Sequence, residues 1–122
     1  MDSKTSILIV DRSAESREVL RTALRRPGVE ILEASRPEQG LALVKQHHPR
    51  VIVLDLEATT EADEGICGRF AAEAPRGRSS LVVLGNARID LGRTLPPDGD
   101  SQFVAKPYHY GPLIRKIEEL LA

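Results

Sequence analysis

Aromatic residues and cysteine are scarce in this chain. Phe, Trp and Tyr together make up 3% of the 122 residues, and Trp is absent. Because nucleobases stack on aromatic rings, this composition excludes a stacking platform for single-stranded nucleic acid. The single Cys67 excludes an internal disulfide and fits a reducing compartment, so we expect a cytoplasmic protein.

Long apolar runs and an excess of charge are also missing. No apolar run approaches the roughly 20 residues of a membrane span, and the polar first residues are unlike a signal peptide. The formal net charge of −1 favours neither nucleic acid nor a membrane as a direct partner. With 41% hydrophobic residues, the sequence predicts one globular domain over 1–122, either stand-alone or excised from a longer protein.

Two apolar runs each lead into a carboxylate. Ile7–Val10 is followed by Asp11, and Val51–Leu54 is followed by Asp55. Such runs are typical of strands buried on both faces of a parallel sheet. A charge after a buried strand is costly unless it lies at the sheet rim, where open α/β sheets bind ligands. Asp55 is therefore either a site residue or a helix cap, and the acidic, Thr-rich 57–64 segment favours the site.

Strands and helices are predicted to alternate along the chain. The strands are expected at 7–10, 29–34, 51–56, 81–84 and 103–105. The helices are expected at about 14–26, 37–47, 65–74 and 111–121, with room for at most a short helix near 87–94.

Local signals support the ends and faces of these helices. Ser13 is a predicted N-cap of the first helix, and Ser35 to Glu38 has the spacing of a capping box before the second. Apolar residues at helical spacing predict a core-facing stripe on the first helix, consisting of Val19, Leu20, Ala23 and Leu24.

Five βα units in this length predict an α/β fold with a flavodoxin-like, doubly wound sheet. Its five parallel strands would have the order 2-1-3-4-5, with helices on both faces. In that order the first and third strands are neighbours. Asp11 and Asp55 would then lie in one crevice at the carboxyl edge of the sheet.

The whole chain resembles the receiver domain of bacterial response regulators, the CheY-like domain of two-component systems. The resemblance is carried by Ile-Leu-Ile-Val-Asp at 7–11, Val-Leu-Asp-Leu at 53–56, and Lys106-Pro107 after a short strand. It implies that Asp55 is a phospho-acceptor, supplied by a histidine kinase or phosphotransfer protein in a phosphorelay. It also implies a downstream effector protein or domain and no enzyme activity of its own.

The resemblance also implies roles for the residues around Asp55. Asp11, Asp55 and the backbone carbonyl of Glu57 would bind Mg²⁺. Lys106 would contact the phosphoryl oxygens, and Phe103 matches the aromatic that moves inward on activation.

Two positions depart from the family's pattern. Arg12 replaces the usual second acidic residue, and Gly85 replaces the usual Ser or Thr near the end of the fourth strand. Two carboxylates then face two cations, Arg12 and Lys106, so the pocket has no net charge to attract Mg²⁺. We expect metal binding and phosphorylation to be weakened or lost. Both orientations of Arg12, into the pocket or into solvent, remain open.

Two functions therefore remain open, a phosphorylatable receiver and a phosphorylation-independent pseudo-receiver that acts as a protein-protein interaction module. An aspartate-phosphatase fits poorly, because its Asp-x-Asp motif would follow the first strand. Flavin binding fits poorly, because no Gly/Ser/Thr-rich phosphate loop follows Val10. The interruption of the fourth helix by Gly92 and Pro96 predicts a monomer or weak dimer instead of the family's phosphorylation-driven dimer.

Overall fold

The architecture is an alternation of strands and helices, seen in a computed structural model that describes residues 5–55, 65–86, 102–106 and 109–121. The strands are β1 (Thr5–Val10), β2 (Val29–Ala34), β3 (Val51–Asp55), β4 (Ser80–Asn86) and β5 (Gln102–Lys106). The helices are α1 (Ala14–Leu24), α2 (Pro37–His47), α3 (Ile66–Glu73) and α4 (Tyr110–Leu121). The short helix predicted near 87–94 lies outside the described residues.

The five strands form one parallel sheet in the order β2-β1-β3-β4-β5, which confirms the predicted topology. The central strand β3 pairs with β1 on one side and with β4 on the other. Every residue of β3 is buried, as expected for an apolar strand covered on both faces. The edge strand β2 is only half-buried, which agrees with its weaker alternation of apolar and polar residues.

The core has two layers, one on each face of the sheet. Because successive strand residues point to opposite faces, Ile7 and Ile9 join the layer under α1 and α4, whereas Leu8 and Val10 join the layer under α2 and α3. Phe70 of α3 is completely buried in the second layer. Helices therefore cover both faces of the sheet. Ligands of such sheets bind at the edge formed by the carboxyl ends of the strands.

The first helix begins as predicted and ends earlier. The Ser13 hydroxyl accepts a hydrogen bond from the Ser16 amide at 3.2 Å, so Ser13 is the N-cap. The helix ends at Leu24 instead of near residue 26, because its C-cap Arg25 is already extended, with φ −64° and ψ 126°.

Two other local predictions are wrong. The capping box before α2 does not form: the N-cap is Arg36, it makes no side-chain cap, and Pro37 begins the helix. The predicted stripe on α1 is also narrower than expected, because Leu20 and Leu24 are fully buried while Val19 is 43% exposed. Residues one apart on a helix are separated by about 100°, so Leu20 and Val19 cannot both face the sheet.

The fourth and fifth strands are longer than the apolar runs that predicted them. The fourth strand continues through Gly85 to Asn86, and the fifth includes Lys106 as its last residue. None of the described helices is long and apolar enough to cross a membrane.

Helix α2 packs unusually close to β1 at Gly40. A Cβ atom built on Gly40 would lie 2.6 Å from Val10 Cγ2 and 3.3 Å from Phe70 Cζ. Both neighbours are fully buried, so neither side chain has free space to move into. We expect Gly40→Ala to destabilise the fold by about 1–3 kcal/mol, despite the higher helix propensity of alanine.

Gly68 provides a matched control in α3, because it is exposed and a Cβ there meets nothing within 4 Å. Gly68→Ala should stabilise the protein by up to about 1 kcal/mol through helix propensity alone. Urea denaturation of the two variants measures the difference. Equal stabilisation by both substitutions would contradict the close packing of α2 on β1.

Candidate functional site

Asp11 and Asp55 lie side by side at the carboxyl edge of the sheet. Val10 and Leu54 are register partners in β1 and β3, and each aspartate is the next residue. Neighbouring parallel strands are about 4.8 Å apart, so the two backbones are in direct contact. Both aspartates are only 4% exposed. The structure thus brings together the two carboxylates that the sequence singled out.

The two aspartates also share one face of the sheet. Strand side chains two residues apart point the same way, so Asp55 follows Val53 and Asp11 follows Ile9. Both Val53 and Ile9 belong to the core layer beneath α1 and α4. The carboxylates therefore continue this apolar face beyond its last buried residues, at the rim where ligands bind in open α/β sheets.

The backbone and carboxylate of Asp11 are fixed by hydrogen bonds to three neighbours. Its amide donates to the carbonyl of Ala34 at 3.0 Å, which extends the pairing of β1 with β2. Its Oδ1 accepts from the Ser13 amide at 2.8 Å, a short side-chain turn that leads into α1. Its carbonyl accepts from Nη1 of Arg17 at 2.5 Å. Asp11 is therefore both a site residue and the start of the β1–α1 turn.

Arg17 is a neighbour of Asp11 that no sequence motif indicated. Its Nε donates to Glu33 Oε1 at 3.2 Å, and Arg21 Nη1 donates to Glu33 Oε2 at 3.0 Å. The signal in the sequence was Glu33, a carboxylate next to the last residue of an edge strand. A carboxylate there is within reach of two arginines one helical turn apart on the adjoining helix.

The Arg12 side chain is exposed. Among the residues that the structure describes, none forms a hydrogen bond or ion pair with it. Of the two orientations left open by the sequence, the structure has the solvated one. Arg12 therefore adds positive charge near Asp11 without occupying the crevice.

The fourth and fifth strands bring the remaining candidates to the same edge. Gly85 is buried in β4 and pairs with Ala105, while Lys106 pairs with Asn86 at the end of β5. Asp55 pairs with Leu84, which in turn pairs with Val104. Val104 lies two residues before Lys106 in β5. Lys106 thus ends its strand about 6–7 Å further along the sheet than Asp55, two strands away.

For Phe103 and Lys106, both in β5, the structure describes the backbone alone. Glu57, predicted to offer a carbonyl to the metal, lies outside the described residues altogether. Within the described ranges, no group of three or more His, Cys, Asp or Glu side chains could hold a metal ion. The candidate ligands described by the structure are the two carboxylates of Asp11 and Asp55.

Relatives in sequence are similar to this chain over nearly its full length. No protein-family model matches it. A probable transcriptional regulator, ycf27, of Cyanophora paradoxa is 29% identical over 120 residues, which are 98% of this chain and 49% of that protein. The ycf27 regulator of Porphyridium aerugineum is 28% identical over 97% of this chain and 48% of its own length. The chain therefore spans about half the length of the curated relatives it matches.

Solved structures with the same fold include signal receiver domains. The signal receiver domain of a LuxO repressor protein from Vibrio parahaemolyticus superposes with a TM-score of 0.77 at 17% identity, covering 97% of this chain and 90% of that one. The receiver domain of a DNA-binding response regulator from Colwellia psychrerythraea gives 0.76 at 23% identity, covering 96% and 98%. The Vibrio cholerae chemotaxis protein CheY4 gives 0.72 at 17% identity, covering 95% and 98%.

These likenesses agree with the geometry of the site. The solved structures share the fold at low sequence identity, and the relatives match nearly the full length of this chain. The structure places two buried aspartates at the carboxyl edge of the sheet. The chain therefore has the fold of CheY-like response regulator receiver domains.

Proposed function

We propose that this chain is a signal-transduction receiver that accepts a phosphoryl group on Asp55, with weakened Mg²⁺-dependent chemistry. The donor would be a phosphohistidine on a histidine kinase or phosphotransfer protein in a cytoplasmic phosphorelay. The burial of Asp11 and Asp55 on neighbouring strands carries the proposal. Burying an ion costs several kcal/mol by rough estimate, so a buried carboxylate pair at a sheet rim suits a site that recruits cations.

The transfer itself needs positioning and charge neutralisation more than covalent assistance. An oxygen of the Asp55 carboxylate attacks the phosphorus and forms a P–O bond. The P–N bond to the donor histidine breaks, and its imidazole nitrogen keeps the electron pair and takes up a proton. The product is an acyl phosphate on Asp55 and a neutral histidine on the donor. Lys106, at the same edge of the sheet, would contact the phosphoryl oxygens.

The donor set at the crevice fits Mg²⁺. This ion binds oxygen ligands and is usually held by one or two carboxylates together with water and phosphate oxygens. Asp11 and Asp55 would hold it, and when bound it would neutralise charge on the phosphoryl group. Hydrogen bonds from the Ser13 amide and from Arg17 hold Asp11 in place without a bound ion.

Arg12 and Gly85 weaken this chemistry in different ways. Because Arg12 is exposed, solvent screens its charge, and the main loss is that of a second acidic ligand beside Asp11. Gly85 carries no hydroxyl, so no side chain at this position can couple the phosphoryl group to movement of Phe103. Metal affinity and the conformational response are therefore both expected to be low.

The alternative is a phosphorylation-independent pseudo-receiver that binds partner proteins. One observation favours it: Oδ1 of Asp11 already accepts the Ser13 amide, so this carboxylate has a structural use without any metal. In both cases the output would pass through an effector protein or domain, with this domain a monomer or weak dimer. The ycf27 relatives are named as transcriptional regulators and are about twice as long, so direct contact with DNA is not proposed for this segment.

Labelling by a small phosphodonor distinguishes the two functions. With acetyl phosphate and Mg²⁺, the wild type should slowly gain one phosphoryl group by intact mass, and Asp55→Asn should gain none. Glu30→Gln, which removes an exposed carboxylate from β2, is the control and should label like the wild type. A wild type that stays unlabelled at high Mg²⁺ concentration would favour the pseudo-receiver.

A charge reversal at position 12 tests the cause of weak metal binding. Arg12→Asp should raise Mg²⁺ affinity by about tenfold, because it replaces a cation with an oxygen ligand beside Asp11. Titration followed by NMR chemical shifts measures the change. The control is Arg25→Asp, which makes the same charge change on the turn after α1, at the opposite edge of the sheet. Equal gains in both variants would show that net charge alone controls affinity.

A further inference from the structure

Arg17 connects the site to the edge of the sheet. One guanidinium nitrogen, Nη1, donates to the Asp11 carbonyl at 2.5 Å, and Nε donates to Glu33 Oε1 at 3.2 Å. We propose that Arg17 is a positioning residue for Asp11, which holds the carboxylate in the orientation that the site uses. This inference rests on the proposed function, because that orientation has value only if Asp11 helps to bind a cation.

The hydrogen bond from Arg17 acts on Asp11 through the peptide unit that joins Asp11 to Arg12. The amide of Asp11 is bound to Ala34, and its carbonyl is bound to Arg17, so the backbone on both sides of its Cα is fixed. The amide of Ser13, two residues further along the chain, then donates to Asp11 Oδ1 at 2.8 Å. Fixing this peptide unit also fixes the direction in which the chain leaves Asp11, and with it the exposed position of Arg12.

Glu33 holds Arg17 in place and balances its charge. Arg17 lies in the first turn of α1, where a cation is unfavourable because the helix dipole is positive there. Its side chain is nevertheless only 19% exposed, and Glu33 is 27% exposed. A planar guanidinium can donate in two directions at once, to a carbonyl and to a carboxylate, whereas a lysine ammonium lacks this fixed geometry. The site thus requires arginine for a reason that charge alone does not give.

Two physical roles for Arg17 predict opposite effects on cation binding. If Arg17 acted only as a nearby positive charge, its removal would make the site more negative and Mg²⁺ would bind more tightly. If Arg17 positions Asp11, its removal frees a ligand and Mg²⁺ binds more weakly. Loss of a partner that orients a ligand typically lowers metal affinity by about 10–100-fold. The sign of the change therefore identifies the role.

The first experiment is a Mg²⁺ titration by NMR of the wild type and three variants. We expect the Kd to rise about tenfold in Arg17→Ala and less in Arg17→Lys, which can still donate to the carbonyl. Arg21→Ala is the control, because Arg21 is a cation on the same helix that binds Glu33 and not Asp11. Tighter binding in Arg17→Ala, or an equal loss in Arg21→Ala, would overturn the proposal.

The second experiment needs no metal and separates this inference from the proposed function. In the metal-free protein, Arg17→Ala should move the Ser13 amide proton resonance upfield and steepen its temperature dependence, because the bond to Asp11 weakens. Arg21→Ala should leave this resonance unchanged. An unchanged Ser13 resonance in folded Arg17→Ala overturns the proposal. If that variant does not fold, Arg17→Met, which keeps an apolar stem and removes every donor, replaces it, with the same comparison to Arg21→Ala.

A wild type that binds no Mg²⁺ would end the metal-dependent part of the proposed function. The Ser13 resonance would still decide whether Arg17 positions Asp11, so the two failures are distinguishable. Thermal unfolding of every variant shows that the compared samples are folded.

Discussion

Burial of two like charges at the carboxyl edge is the constraint on which the rest of the structure depends. Asp11 and Asp55 are each 4% exposed, and each directly follows four buried apolar residues. Two carboxylates this close repel each other and lose hydration, and a folded protein tolerates them only where hydrogen bonds or cations compensate. The turn into α1 supplies such a hydrogen bond, from the Ser13 amide to Asp11 Oδ1.

The sheet order turns this local constraint into a site. With β1 and β3 adjacent, two residues 44 positions apart in sequence become neighbours across the strand pair. Helices α1 and α4 cover one face and α2 and α3 cover the other, so the rim is the place where these charges can meet solvent, metal or substrate. The close contact of Gly40 with Val10 brings α2 tightly onto the same strand that ends at Asp11.

The network of Arg17, Glu33 and Arg21 extends the candidate site beyond the two aspartates. It ties the first turn of α1 and the edge strand β2 to the carbonyl of Asp11. Exposed ion pairs contribute little to stability, commonly about 0–1 kcal/mol. The value of this half-buried network is better sought in the orientation of Asp11 than in the stability of the fold.

Sequence patterns predicted the sheet order and the aspartate pair because both follow from long apolar runs with a charge at the end. Those runs leave few alternatives, since a short run rich in β-branched residues such as Val51–Leu54 favours a buried strand. The errors have local causes. The helix face at Val19 and the cap before Pro37 depend on tertiary packing, which the spacing of apolar or capping residues does not determine.

The role of Arg17 was missed for a related reason. A charged residue on an amphipathic helix usually faces solvent, and only the three-dimensional position of Glu33 shows that this one does not. The orientation of Arg12 likewise depends on how the peptide unit after Asp11 is held, which no periodicity encodes. The sequence alone therefore did not determine the contacts between a helix and a strand that depend on a single side chain.

The central claim is that Asp55 is the residue that receives phosphate. The most direct measurement is borohydride reduction of the protein after incubation with a phosphodonor and Mg²⁺, followed by peptide mass spectrometry. Reduction converts an aspartyl phosphate into homoserine and leaves free carboxylates unchanged. The account predicts homoserine at position 55. Homoserine at another aspartate, with position 55 unchanged, would contradict it.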